Sequence, residues 1–261
     1  MSIETQTPPP PVDMREMMRR RGLKEWQFKV VETAEITPRM RRVTVTADDL
    51  EGFEPLGGQD MVLMLPDAAG GLGRRHYTVR GYDLDSARID FDVVMHGDST
   101  PATRWALGSL PGDDLLAFGP RGRNLLNDGA DWRLFVGDET AIPGFFGMIE
   151  ALPKGAKARA IIEIQSDADR QPVLSRGDVE IEWLSRDGAR AEPSSPRLID
   201  VIASFEPPGG VGHIYLLGET STVRAQRQDL VRRGFPKANI FAEGYWRPGR
   251  VGGHDHVDDN H

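Results

Sequence analysis

Six consecutive residues, Arg75-His76-Tyr77-Thr78-Val79-Arg80, put a cation, an aromatic ring and a hydroxyl on one short stretch. On an extended strand side chains alternate, so Arg75 and Tyr77 share a face and Thr78 sits beside them. A guanidinium grips a phosphate through parallel hydrogen bonds, and a tyrosine covers a ring system. A threonine hydroxyl reaches a heteroatom at the ring edge. Together they suit a flat, phosphate-bearing molecule such as a flavin dinucleotide. An exposed edge strand with polar decoration carries the same residues, so the stretch needs support from elsewhere.

The elements around it read as strands. Phe28, Val30 and the run Val43-Thr44-Val45-Thr46 are aromatic and β-branched, with the turn-like Thr37-Pro38-Arg39 between them. Residues 61–65 give another strand, and a glycine-rich connection over 67–73 leads into the opening stretch. Ile89, Phe91, Val93 and Met95 alternate with Asp90, Asp92, Val94 and His96, the pattern of a strand with one apolar face. Residues 115–118 make a sixth strand before Gly119-Pro120. Between the last two, Asp98-Ser99-Thr100 offer capping groups, Pro101 suits a first helical turn, and residues 102–107 continue a helix to Gly108. A helix start presents amides and partial positive charge to an anion, here a pyrophosphate.

The polar stretch over 121–130 fits a domain boundary, after which strands and helices alternate. Strands are expected at 132–136, 158–164, 179–184, 214–217 and 239–242, and helices at 141–152, 197–205 and 222–233. Such alternation implies a mainly parallel sheet with ligands at the carboxyl ends of its strands. Two of those ends carry Gly137-Asp138-Glu139-Thr140 and Gly218-Glu219-Thr220-Ser221. The fold expected is a six-stranded antiparallel β-barrel followed by a Rossmann-like α/β nucleotide-binding domain. The divisions are a flexible tail at 1–22 with a short helix at its end, the barrel at 23–126, the α/β domain at 127–250 and a second flexible tail at 251–261.

Composition narrows the function. With 261 residues, 39% apolar and 28% charged, the chain is an ordinary globular one. It has no cysteine, which removes disulfides and iron–sulfur clusters, so electron transfer must ride on a bound cofactor. A net charge of −8 argues against nucleic acid or an anionic membrane as partner, though not against a small anion at a local arginine group. No apolar run has the length of a membrane span and no secretory signal opens the chain, so the cytoplasm is expected; a monomer is expected as well. His254, His256 and His261 lie among aspartates in a polar tail, and His76, His96 and His213 are scattered; no protein-borne metal site is expected.

The Arg75-x-Tyr77-Thr78 pattern resembles the flavin motif of ferredoxin-reductase-like enzymes. Extended through Val79 and Arg80 it is similar to the siderophore-interacting proteins, which reduce ferric siderophores. Three later segments resemble the same family in the same order. They are His96-Gly97 with Pro101-Ala102-Thr103-Arg104-Trp105-Ala106, then Gly137-Asp138-Glu139-Thr140-Ala141-Ile142-Pro143, then Gly244-Tyr245-Trp246-Arg247-Pro248-Gly249. One departure is Thr100-Pro101-Ala102-Thr103, where the family carries Gly-Pro-Ala-Ser; the hydroxyl is kept and the glycine lost. The resemblance implies FAD as cofactor, NADPH or NADH as electron donor and a ferric siderophore as substrate; Arg75 and the helix start at Pro101 assign FAD chiefly to the barrel, and NADPH is favoured over NADH by Arg170 and Arg224. The cofactor-binding residues that the resemblance implies are Arg75, Tyr77, Thr78, Val94, His96, Gly97, Ala102, Thr103, Asp138, Thr140, Ala141 and Trp246.

Several of these assignments have a plainer counterpart. The 137–143 turn lacks the Gly-x-Gly-x-x-Gly spacing, and its two carboxylates would repel a pyrophosphate, so capping by Asp138 or Thr140 is one role for it. Arg247 and Arg250 are the expected contacts of an anionic siderophore, or else solvated arginines. Trp246 covers the flavin ring or closes the domain interface. For the 2′-phosphate of NADPH the candidates are Arg170, in the run Gln165-Ser166-Asp167-Ala168-Asp169-Arg170, and Arg224. No catalytic acid or base is assigned, because a flavin does the redox chemistry and the protein supplies position and field. Two other functions fit the same scaffold, a general NAD(P)H-dependent flavin or quinone reductase and a non-catalytic siderophore-binding protein.

Overall fold

The computed structural model describes residues 14–67, 71–95, 100–122, 125–250 and 255–257. The first half is antiparallel. Its strands are β1 (Glu25–Thr37), β2 (Met40–Thr46), β3 (Asp60–Pro66), β4 (Leu72–Thr78), β5 (Gly81–Asp83), β6 (Arg88–Val94) and β7 (Asp114–Arg121), in the order β4-β3-β7-β1-β2-β6-β5. β4 and β5 stand at opposite edges of that order yet are consecutive in the chain. Between them the Val79 amide donates to the Gln59 carbonyl and the Arg80 amide to the Asp90 carbonyl, at 2.9 Å each. The chain thus crosses from one edge to the other and rolls the sheet into the expected barrel. The strand read over 75–80 is this crossing strand, and its change of partner adds the three-residue β5 as a seventh.

Alternation fills the barrel with Trp26, Phe28, Val43, Val45, Ile89 and Phe91, each under 5 % exposed, beside Phe53 from a connecting loop. Helix α1 (Met14–Arg20) lays Met18 against Val62, Met64 and Phe118, so the described end of the expected N-terminal tail belongs to the barrel. Helix α2 (Pro101–Gly108) packs Ala102 and Ala106 on the same core. Its N-cap is Thr100; Asp98 and Ser99 lie outside the described residues.

The second half is α/β. Strands β8 (Trp132–Asp138), β9 (Lys157–Ile164), β10 (Asp178–Ser185), β11 (Gly212–Glu219) and β12 (Ile240–Trp246) form a parallel sheet in the order β10-β9-β8-β11-β12. Every residue of β8 is buried, as a central parallel strand covered on both faces requires. Phe135, Ala160, Ile162, Tyr215 and Leu217 face helix α3 (Ile142–Glu150). Leu134, Val136, Ile161, Ile214 and Leu216 face α4 (Pro196–Ala203) and α5 (Thr220–Arg232). A two-residue strand, β13 (Asp255–His256), pairs antiparallel with β12, and Val257 is buried. That part of the expected C-terminal tail is therefore built into the sheet; residues 251–254 and 258–261 lie outside the described residues.

Three contacts fix the halves together. Met40 of β2 is buried in the core under α3. The Arg80 guanidinium donates two hydrogen bonds of 2.7 Å to the Glu150 carboxylate at the end of α3. Gly57 approaches Gly147 so closely that a Cβ on Gly57 would lie 2.4 Å from the Gly147 carbonyl oxygen. The connection at 125–127 is held down by Tyr215, whose hydroxyl donates to the Leu125 carbonyl at 3.1 Å and accepts from the Asn127 amide at 3.0 Å.

Candidate functional site

Where the barrel meets the carboxyl ends of the parallel strands, a cleft of about 690 Å³ opens, within the range of cofactor sites. Arg75, Tyr77 and Thr78 of β4 line it, as do Val94, Ala102, Thr140, Trp246, Arg247 and Arg250. Nine expected positions, from segments far apart in sequence, therefore meet at one place. Thr103, Asp138 and Ala141 are buried beneath it rather than lining it. His96 and Gly97 lie outside the described residues.

The register explains the β4 side. Arg75 and Tyr77 pair with Leu63 and Met61, while His76 and Thr78 pair with Val62 and Asp60. Tyr77 packs its ring against the barrel core, and burial pushes its phenol well above the ordinary range despite the opposing charge of Arg75. It stays a neutral, apolar surface at any working pH. At α2 the Thr100 hydroxyl oxygen accepts from the Thr103 amide at 3.1 Å, and its O–H donates to Thr103 Oγ1 at 2.9 Å. Pro101 has no N–H, so Ala102 brings the one amide of this first turn that these caps do not engage.

The α/β side is organised by carboxylates. Asp138, 3 % exposed, accepts at Oδ1 from the Thr140 amide (2.9 Å) and hydroxyl (2.5 Å). At Oδ2 it accepts from the Glu219 amide (2.9 Å) and from Trp246 Nε1 (2.8 Å). The capping role is present, and the same group orients Thr140 and Trp246 at the cleft. Burial and the neighbouring Glu139 push its acid up to about 6 against the pull of those donors. Gly137 is required behind it, since a Cβ there would sit 2.2 Å from the Leu217 carbonyl oxygen.

Glu139 is neutralised by Arg186, at 2.6 and 2.9 Å, which also reaches Glu163 at 3.2 Å. Glu219 caps α5 by accepting from the Ser221 and Thr222 amides at 2.9 and 2.8 Å and takes the Ser194 amide at 3.0 Å. Burial pulls its acid up, but these amides outweigh burial and hold it below the ordinary value. Both strand-end turns are thus capped from within, and the two carboxylates of the 137–143 segment are committed to the protein itself.

The arginines at the end of β12 are also engaged. Asp255 pairs with Arg250 through its Oδ1 and with Arg247 at 3.7 Å through its Oδ2, which accepts from Thr220 Oγ1 at 3.1 Å. Burial raises the Asp255 acid, yet the hydrogen bonds of Arg250 and Thr220 and the two positive charges leave it below the ordinary range. Of the candidates for a 2′-phosphate, neither Arg170 nor Arg224 lines the cleft; Arg170 pairs with Asp167 at 2.8 Å. Arg190 and Gln165 line it instead, with Arg39, Asp60, His76 and Glu243. His76 has a signal in its place inside the β4 motif. Glu243 precedes the Gly244 motif on β12, whereas Arg39 and Arg190 have no signal, because turns and loops distant in sequence bring them in.

Two family descriptions match the chain: "Siderophore-interacting FAD-binding domain" over residues 72–124 and "Siderophore-interacting protein" over residues 130–249. The ferric vibriobactin reductase ViuB of Vibrio cholerae is 30% identical over 238 residues, covering 82% of this chain and 86% of that one. The crystal structure of a siderophore utilization protein from T. fusca superposes with a TM-score of 0.81 at 31% identity, over 90% of this chain and 97% of that one. The ferredoxin reductase of a carbazole 1,9a-dioxygenase shares the fold at 16% identity, with a TM-score of 0.68 over 86% of this chain and 70% of that one.

Proposed function

The chain belongs to the siderophore-interacting protein family, with that family's FAD-binding domain at residues 72–124, and from this premise we propose that it carries electrons from NADPH through FAD to ferric siderophores, releasing ferrous iron. The observation that supports this most is the shared cleft. It sets the β4 trio and the α2 start of the barrel opposite Thr140 and the Trp246–Arg250 end of the α/β half.

The residues fit the cofactor. Arg75 supplies a fork of donors for a pyrophosphate, helped by the Ala102 amide. Tyr77 offers an uncharged ring surface and Thr78 a hydroxyl. Of the two carboxylates at the Thr140 turn, Asp138 is turned onto four hydrogen-bond donors and Glu139 is paired with Arg186, so neither is directed at a phosphate in the cleft. When bound, a flavin would supply the conversion of one two-electron hydride from a nicotinamide into single electrons for iron, matching a two-electron donor to a one-electron acceptor. Trp246, held by Asp138, closes the cleft from the α/β side. Arg190, exposed at the rim beside Gln165, is assigned to the phosphates of NADPH. Arg247 and Arg250 are assigned to the anionic siderophore, in competition with Asp255.

The test is anaerobic. Protein loaded with FAD should bleach with NADPH, and a ferric siderophore should restore the colour while a ferrous-specific chelator reports iron. Bleaching with no iron-dependent recovery would favour a general flavin or quinone reductase. A colourless protein that binds siderophore tightly would favour a carrier.

A further inference from the structure

Three ionisable side chains from both halves of the molecule meet in the cleft without a part in the account above. His76 lies on β4 between Arg75 and Tyr77, and its Nδ1 is 2.7 Å from Asp60 Oδ2 on β3. Asp60 is further approached by Arg121 Nε of β7 at 3.5 Å. Glu243 enters from β12, is 9 % exposed, and lines the cleft together with Asp60 and His76. The three do not form a metal site; no group of three or more His, Cys, Asp or Glu able to hold a metal occurs among the described residues.

We propose that Glu243 and the His76–Asp60 pair form the proton donor of the cleft, supplying protons to the siderophore oxygens as they leave the reduced iron. The inference rests on the reductase reading. One electron passes from the reduced flavin, itself reduced by the nicotinamide, to Fe(III). The Fe–O bonds of the Fe(II) complex then break, each anionic oxygen takes a proton, and Fe²⁺ leaves. Oxygen donors hold ferrous iron more weakly than ferric, and protonation of the departing oxygen prevents recapture. Solvent then reprotonates the donor groups.

The placement suits this role. Asp60 engages Nδ1, which fixes the ring beside the Arg75 and Tyr77 positions of the cleft. Burial, reinforced by the Asp60 carboxylate and opposed by Arg121, raises the Glu243 acid to about 7, so it carries a proton at the pH where it is needed. The other carboxylates lining the cleft are paired, and the cations lining it besides Arg247 and Arg250 are Arg39, Arg75 and Arg190. Asp92 is held by Arg42 at 2.7 and 2.9 Å, Glu139 by Arg186, and Asp255 by Arg247 and Arg250. The backbone of Glu243 pairs with that of His256 on β13.

Glu243→Gln and His76→Gln keep size and hydrogen-bonding capacity while removing the proton store. Infrared spectra of the protein without siderophore should show a carboxylic-acid band that titrates near neutrality and is missing in Glu243→Gln. In anaerobic single turnovers of the FAD-loaded proteins, the ratio of ferrous release to flavin recolouring should fall about a hundredfold at pH 7 in each variant, the low end of general-acid contributions. It should recover at pH 5.5, and in His76→Gln with added imidazole. A ratio equal to wild type at every pH would overturn the proposal. So would equal loss of release and recolouring, which would mark the cluster as structural. If wild-type protein itself fails to recolour, the reductase reading falls and the substrate named here falls with it, while the infrared band still reports whether Glu243 holds a proton.

Discussion

Asp138 accepts four hydrogen bonds, and two of the donors lie 81 and 108 positions away in sequence. That is why its sequence neighbourhood shows a cap but not the support of Trp246. Asp138→Asn replaces one acceptor oxygen by an amide that must face an N–H, and should cost about 2–4 kcal/mol of stability in urea unfolding. It should also weaken the cleft's hold on FAD. Glu243 bears on pH. Its folded acid is raised from 4.5 to about 7, so between those values the folded protein binds the extra proton. Stability should therefore fall as pH rises through that window and level off above it, by about 3 kcal/mol at most. Glu243→Gln should flatten the curve. Asp255→Asn releases Arg247 and Arg250, so an anionic ferric chelate should bind several-fold more tightly than to wild type by fluorescence titration at low salt.

At the scale of elements, strands with clean alternation were legible before the fold was known. Ile89, Phe91 and Val93 point into the barrel as their spacing requires, and the turn after Asp138 falls between β8 and α3. What alternation could not show is the change of partner at Val79, because a two-residue crossing leaves no mark in apolar periodicity. It also could not show that Arg80, two residues beyond Thr78, would leave the barrel surface for Glu150 of α3. That bidentate pair is half-buried, with side-chain exposures of 12% and 36%. Glu150→Ala should cost about 2 kcal/mol, discounted for solvent access. The measurement that separates a local from an interface effect is the barrel–α/β contact itself, read as faster hydrogen exchange in both α3 and the 79–80 segment.

For the whole molecule, the sequence made the two-part plan visible through the change from strands alone to alternating strands and helices. The packing of α1 and β13 was not visible, since both are short and their burial depends on surfaces supplied by distant strands. The net charge of −8 disfavours an anionic substrate at long range, so the arginines of the cleft must act locally. The central claim is that a flavin in this cleft passes nicotinamide electrons to siderophore iron. It is tested most directly by counting. Protein reduced by one equivalent of NADPH without oxygen is mixed with excess ferric siderophore, and oxidised flavin and ferrous chelate are measured together. Two ferrous ions per flavin recoloured, with Arg75→Ala losing flavin and signal together, is the result expected. Recolouring without ferrous iron, or ferrous iron formed equally by protein stripped of FAD, would contradict it.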